Sequence, residues 1–269
     1  MGKLSALLAL FVAVTLSTGS LGYDNSHTLW KQVLNTYRTP EGLVAYGPLK
    51  KMFREDPANP LARYLKQLSE VSFQSFSSWP QEEQMAFLIN AYNAFTVKWI
   101  VDHYPVGSIK KTVGWFSSPW KQEFFSLLDG KIKHLDAIEH EWLREKYQDA
   151  RIHAAVNCAS LSCPVLQGVP FTGKDLNTQL ESAFRAFLGD PSRNRYEVET
   201  GVLQLSKLFD WFESDFEKQF GSLKKTVERF GPDSARTAIA KKGTVRFLDY
   251  DWGLNDSPSA PDSIARKKP

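Results

Sequence analysis

The sequence predicts an α+β fold: a mostly helical single domain with short antiparallel hairpins. Apolar residues recur at helical spacing over several long stretches. Short β-like runs are joined by turn dipeptides at Asp129-Gly130 and Thr200-Gly201. Helices and hairpins are mixed without regular strand–helix alternation, which argues against a doubly wound parallel sheet.

Residues 1–22 read as a secretory signal peptide. Lys3 supplies a positive start, Leu4 to Leu16 an apolar run, and Ser20-Leu21-Gly22 the small residues of a cleavage site. That run is short for a spanning helix, which needs about 20 apolar residues, and no later stretch is apolar enough to cross a bilayer. The mature chain is therefore expected to be secreted or periplasmic, where disulfides persist.

Asn25 to Tyr37 predicts a helix with Leu29, Trp30, Val33 and Leu34 on one face. Pro60 to Val71 repeats the pattern with Leu61, Tyr64, Leu65 and Leu68. The longest helix follows Pro80, which fits a first turn, with Glu82 and Glu83 at its positive end. It runs to about His103 and is apolar on most sides, so it is expected at the centre. Phe124 to Leu128 and Lys131 to Leu135 form the first expected hairpin. Asp136 and Glu139 suggest a capping box for a helix ending near Tyr147. Ile152 to Cys158 is short, apolar and strand-like. Asp175 to Leu188 reads as a helix stopped by Gly189. Tyr196 to Val198 and Val202 to Leu205 make the second hairpin. Ser206 caps a helix over Lys207 to Phe220, a short helix follows at 234–241, and Val245 to Trp252 is the last strand. The domain is expected over 23–255, and the Ser-, Pro- and Asp-rich tail over 256–269 to be disordered.

Composition narrows the function classes. The formal charge is +3, or +2 once Lys3 is cleaved away, too weak to imply nucleic acid or a membrane surface. An aromatic content of 13% provides for a sizeable core. Two cysteines are too few for a disulfide scaffold.

Both cysteines fall in one segment with a histidine: Arg151-Ile-His153-Ala-Ala-Val-Asn-Cys158-Ala-Ser-Leu-Ser-Cys163-Pro164. Three chemistries are open. An exported chain with an even count suggests a structural disulfide between Cys158 and Cys163. A thiol nucleophile would need a base within hydrogen-bond reach. His153 is the candidate, but strand alternation puts it on the face opposite Cys158 and favours Cys163. Zinc is weakly supported, because Cys-x4-Cys is looser than the usual ligand spacing. No metal or cofactor is assigned.

Asn90 and Asn93 share a face of the central helix and carry amides into an apolar interior. They either satisfy the buried backbone of a neighbouring loop or, with Tyr92 and Arg151, line a substrate site. Asp249 and Asp251 share a face of the last strand, and either could orient His153 as the third member of a triad.

Taken together, these landmarks resemble domain-of-unknown-function family 547. They are Asn-Ala-Tyr-Asn at 90–93, Tyr-Pro-Val-Gly-Ser-Ile at 104–109, Ile-Glu-His-Glu at 138–141 and the segment at 151–164. Leu205-Ser206-Lys207 with Trp211 and Asp215-Phe216, and Asp249-Tyr-Asp-Trp252 with Leu254-Asn255, extend the match to roughly 60–255. The resemblance implies one domain and no settled activity. A central helix followed by strands bearing a His and then an acid is also similar, at a distance, to the papain and transglutaminase arrangement. There the helix carries the nucleophilic thiol, and here it carries Asn90 and Asn93 instead.

Two functions stand against each other on these residues. One is a thiol-dependent hydrolase or acyl-transfer enzyme on an amide- or peptide-like ligand, with His153, Cys158 or Cys163, and Asp249 or Asp251. The other is a non-catalytic periplasmic binding or interaction domain stapled by Cys158–Cys163.

Overall fold

The computed structural model describes residues 23–257; the expected signal peptide and the tail beyond 257 lie outside the described residues. Among the described residues, no helix is long and apolar enough to cross a membrane.

The N-terminal part is a set of helices around one long axis. These are α1 (Thr28–Tyr37), α2 (Tyr46–Glu55), α3 (Pro60–Ser69), α4 (Phe73–Ser77) and the central α5 (Gln81–His103). Local caps set their starts. The Asn59 side chain accepts from the Ala62 N–H ahead of α3, and Ser72 does the same for Ser75 at α4. Every residue of α5 from Gln84 to Val97 is buried, as its all-round apolar pattern predicts. Trp30, Tyr46, Tyr64, Phe76 and Phe87 fill the space between the helices.

The C-terminal part has its own core. It contains α6 (Leu176–Gly189), β1 (Arg195–Glu197), β2 (Val202–Leu205), α7 (Leu208–Trp211), α8 (Glu213–Phe220), α9 (Leu223–Phe230), α10 (Asp233–Lys241) and β3 (Thr244–Phe247). Phe184, Phe187, Phe209, Phe216 and Phe230 pack at its centre. The strands lie in the order β1-β2-β3, with β1 antiparallel to β2 and β3 parallel to it. Gly201 turns the β1–β2 hairpin at φ 71°, and a Cβ there would sit 2.7 Å from the Lys242 backbone nitrogen. Conformation and space both demand glycine at that turn.

The mostly helical α+β class holds, and several elements differ in detail. The hairpin at Asp129-Gly130 shrinks to a single bridge, Leu127 to Ile132, around left-handed Leu128 and Asp129. Beyond the bridge a single backbone bond remains, from the Phe124 N–H to the Lys133 carbonyl, and Phe124 and Phe125 turn onto Phe95 of α5, with Phe125 stacked at 4.0 Å. The helix expected over 207–220 breaks at Phe212 into α7 and α8. The last strand ends at Phe247, and 248–252 is irregular. Ordered structure passes the expected boundary at 255: Asp256 bridges to Val44 and accepts from the Tyr104 hydroxyl.

Two corrections bear on the site. Residues 152–158 are not a strand. Ala150–Ala154 is a 3₁₀ helix, begun by Asp149 accepting from the Arg151 N–H, and the chain beyond it is irregular. The capping box at Asp136 and Glu139 does not form either. The Ala137 N–H goes to His134 Nδ1, and Ala137–Tyr147 winds as a π-helix, a wide coil that recurs at functional sites.

Candidate active site

The two cores meet along residues 150–159. Ala150 and Ala154 pack into the C-terminal core, whereas Ile152, Ala155, Val156 and Ala159 pack into the N-terminal one. A segment buried from both sides cannot satisfy its backbone with water. The asparagines of α5 do it instead. Asn93 Nδ2 donates to the Ala155 carbonyl at 2.9 Å, and the Asn157 N–H donates to Asn93 Oδ1 at 2.8 Å. One turn earlier, Asn90 makes the same double bond with Phe171, at 2.7 and 3.0 Å.

The cysteine loop is fixed in the same way. Asn157 Oδ1 accepts from the Ala159 N–H, and Asn157 Nδ2 donates to the Pro164 carbonyl. Ala159 sits at φ 60° and is fully buried. A non-glycine residue there costs of order 1–3 kcal/mol, so the surroundings must impose it. They do so by lacing the loop to 251–255 through the Leu161 N–H to the Gly253 carbonyl and the Asn255 N–H to the Ala159 carbonyl.

This places the Cys158 and Cys163 sulfurs 2.8 Å apart as free thiols. Their surroundings differ. Cys163 is buried, while Cys158 is partly buried in a pocket of about 190 Å³. Tyr250 Oη lies 3.1 Å and Ser160 Oγ 3.4 Å from Cys158 Sγ, and the Cys158 N–H donates to Cys163 Sγ at 2.9 Å. Burial raises the Cys158 thiol pKa, but its hydrogen bonding with Cys163, Ser160 and Tyr250 outweighs it, and the net shift is downward. Burial and then the neighbouring Cys158 push Cys163 far up. Of the two thiols, Cys158 is thus the more readily ionised.

His153 lines the same pocket. It is buried, its ring stacks on Phe212 at 4.0 Å, and its Nε2 lies 2.8 Å from Asp215 Oδ2. An ionised carboxylate only accepts, so Nε2 carries the proton and Nδ1 is the basic nitrogen of the neutral ring. Asp215 is in the first turn of α8, at the helix's positive end. Arg144 from the π-helix clamps it with two hydrogen bonds, at 2.6 and 2.9 Å. Burial would raise the Asp215 carboxyl, but the bonds from His153 and Arg144 hold it well below the usual carboxylate range. Among the described residues, no hydrogen bond joins His153 to either sulfur.

The rest of the pocket is acidic and aromatic. The π-helix presents Glu139 and His140, Asp136 lies just before its start, and α5 presents Tyr92. Burial and the neighbouring Glu139 raise the Tyr92 phenol. Trp211, Tyr250 and Trp252 pack against one another at 4.5 to 5.7 Å, and Trp120 meets Trp252 edge-on at 5.7 Å.

His153, Cys158, Cys163 and Tyr92 thus converge on one pocket. Asn90 and Asn93 lie behind it, bonded to backbone. Arg151 turns away to Asp149 and Asn177. Asp249 and Asp251 are exposed; the Asp251 carboxylate accepts from the Gly253 N–H, and its N–H goes to Ser162. The carboxylate on His153 is Asp215, which sequence reasoning quoted as a landmark without giving it a role. The alternation argument that separated His153 from Cys158 fails with the strand it assumed. Among the described residues, no group of three or more His, Cys, Asp or Glu stands in a metal-binding arrangement.

No curated protein and no solved structure matches this chain. The family described as Protein of unknown function, DUF547, matches residues 76–188, a stretch that runs from α4 through the central helix, His153 and both cysteines to α6. The match supports assigning that stretch to this family of unknown function.

Proposed function

We propose that this chain is an exported thiol-dependent hydrolase or acyl-transfer enzyme acting on an amide- or peptide-like substrate, with Cys158 as nucleophile and His153 as base. The reading rests on one observation above the others. A partly buried cysteine with a lowered thiol pKa and a carboxylate-bound histidine line a single pocket. That is the nucleophile–base–orienter set, recognised by roles rather than by sequence order.

The chemistry follows from the proton positions. His153 Nδ1 takes the Cys158 proton, and the sulfur attacks the substrate carbonyl carbon. The C–N bond breaks, the amine leaves with the proton from His153, and a thioester remains on Cys158. Water, deprotonated by Nδ1, then attacks the thioester and frees the sulfur; an amine in place of water gives transfer. Asp215 positions the imidazole and balances its charge when protonated.

The alternative is a non-catalytic binding domain stapled by a Cys158–Cys163 disulfide, and the 2.8 Å between the sulfurs favours it. The probe p-nitrophenyl acetate separates the two. The reduced protein is expected to release a burst of nitrophenolate and carry an acetyl group on Cys158 by intact mass. Cys158→Ser abolishes both, and His153→Ala slows the burst on the order of 10²-fold. A protein that takes no acetyl group at Cys158, and whose oxidised pair resists iodoacetamide, is the binding domain instead.

A further inference from the structure

The pocket holds two thiols where acyl transfer needs one. Their placement is asymmetric: both line the pocket with their sulfurs 2.8 Å apart, but Cys158 is partly exposed and Cys163 only 3% exposed. The loop between them is not free to separate them. Ala159 is held left-handed, and Ser160 bridges to Leu254. Each sulfur has a donor suited to a thiolate: Tyr250 Oη at Cys158 and the Cys158 N–H at Cys163.

We infer that Cys158 and Cys163 form a redox-active dithiol that reduces small disulfides entering the pocket, with Cys158 attacking and Cys163 resolving. The inference uses the same Cys158 as the hydrolase reading, but it requires neither His153 nor an acyl substrate.

Each step balances. The Cys158 thiolate attacks one sulfur of R–S–S–R. That bond breaks, and the first RS⁻ leaves and takes a proton from solvent. Cys163 then loses its proton to solvent and attacks Cys158 Sγ, and the second RS⁻ leaves and is protonated. The pair ends as a Cys158–Cys163 disulfide, two electrons having passed to the substrate as two RSH. A thiol reductant resets the pair by the reverse sequence. The contrast between a lowered Cys158 and a raised Cys163 agrees with these roles, since the attacking thiol must be ionised first. The substrate is small because the pocket that Cys158 lines with Trp211, Tyr250 and Trp252 has a volume of only about 190 Å³, too little for a folded protein's disulfide.

The test uses the full mature chain and glutathione disulfide as probe, read by intact mass. Reduced wild type is expected to lose the two thiol hydrogens without retaining glutathione. Cys163→Ser is expected to retain one glutathione on Cys158, and Cys158→Ser none. Cys163→Ala serves in place of a Cys163→Ser protein that does not fold. In glutathione buffers the wild-type pair is expected to titrate reversibly. A pair that glutathione cannot reduce at any thiol-to-disulfide ratio is a structural staple and overturns the inference, as does a Cys163→Ser protein that takes up no glutathione. Reduction of insulin in place of glutathione disulfide overturns the small-substrate assignment. Nitrophenyl acetate run on the same preparation reads acylation separately, so either activity can fail without the other.

Discussion

Asp215 receives His153 Nε2 at 2.8 Å and the two Arg144 nitrogens, and its side chain is only a quarter exposed. Its role is that of a positioning residue, which a conservative change can separate from packing. In Asp215→Asn the amide can present its NH₂ to Nε2, which moves the imidazole proton to Nδ1 and removes the base. Acetylation of Cys158 by p-nitrophenyl acetate is then expected to fall on the order of 10²–10⁴-fold, with the loss persisting across the pH range in which wild type is active. Stability should fall by about 1–3 kcal/mol, because Arg144 keeps a weaker partner. Asp215→Glu should recover part of the rate. A variant that loses stability but acylates at the wild-type rate would reduce Asp215 to a structural ion pair.

Among the elements, α5 shows what the sequence carried and what it did not. Two asparagines at i and i+3 in an apolar helix were legible as buried amides seeking backbone, and each bonds one loop residue or pair in that way. Asn93→Ala leaves the Ala155 carbonyl and the Asn157 N–H buried without partners. At about 1–3 kcal/mol per orphaned group, a loss of roughly 2–6 kcal/mol is expected in chemical denaturation. Faster hydrogen exchange at the Asn157 amide should accompany it, and unchanged protection there would refute the assignment. The same bonds explain why 152–158 was misread. A short apolar run is ambiguous between strand and helix, and what decided it was a side chain 62 residues away in sequence. Asp215 was hidden for the same reason, at 62 residues from His153. Glu139 and His140 were visible within the Ile-Glu-His-Glu landmark at 138–141, but not the π-helical winding that turns them to the pocket, because that winding leaves no periodic signal over so few turns. The cysteine–histidine segment was legible as the chemical centre; its three-dimensional arrangement was not.

At the scale of the whole molecule, the N-terminal helices are joined to α5 through one buried imidazole. His27 is fully buried, with Nδ1 at 2.6 Å from the Tyr64 hydroxyl of α3 and Nε2 at 3.1 Å from Asn90 Nδ2 of α5. Asn90 in turn holds Phe171 in the segment leading to α6, so the node links the start of the described chain to its middle. Asn90 donates to Nε2, so the ring is neutral with its proton on Nδ1, and protonating it would place a donor against a donor. Burial lowers the His27 pKa to about 4, with Asp24 opposing weakly. The unfolded chain takes up this proton near pH 6.5, before the folded one does. Stability from this group is therefore complete above pH 6.5, declines as the pH falls towards about 4, and is level below that. The full decline amounts to about 3 kcal/mol. Carboxylates held low in the fold, such as Asp215 and Asp190, add their own loss only below about pH 4, so the two windows separate. The guanidinium midpoint is expected to drop steadily from pH 7 to pH 4.5 in the wild-type protein. In His27→Gln, which retains hydrogen-bonding capacity but cannot take up a proton, the midpoint should stay nearly flat over that range. An equal slope in the variant would mean that the acid sensitivity arises elsewhere and that His27 is not the group coupling the N-terminal helices to proton uptake.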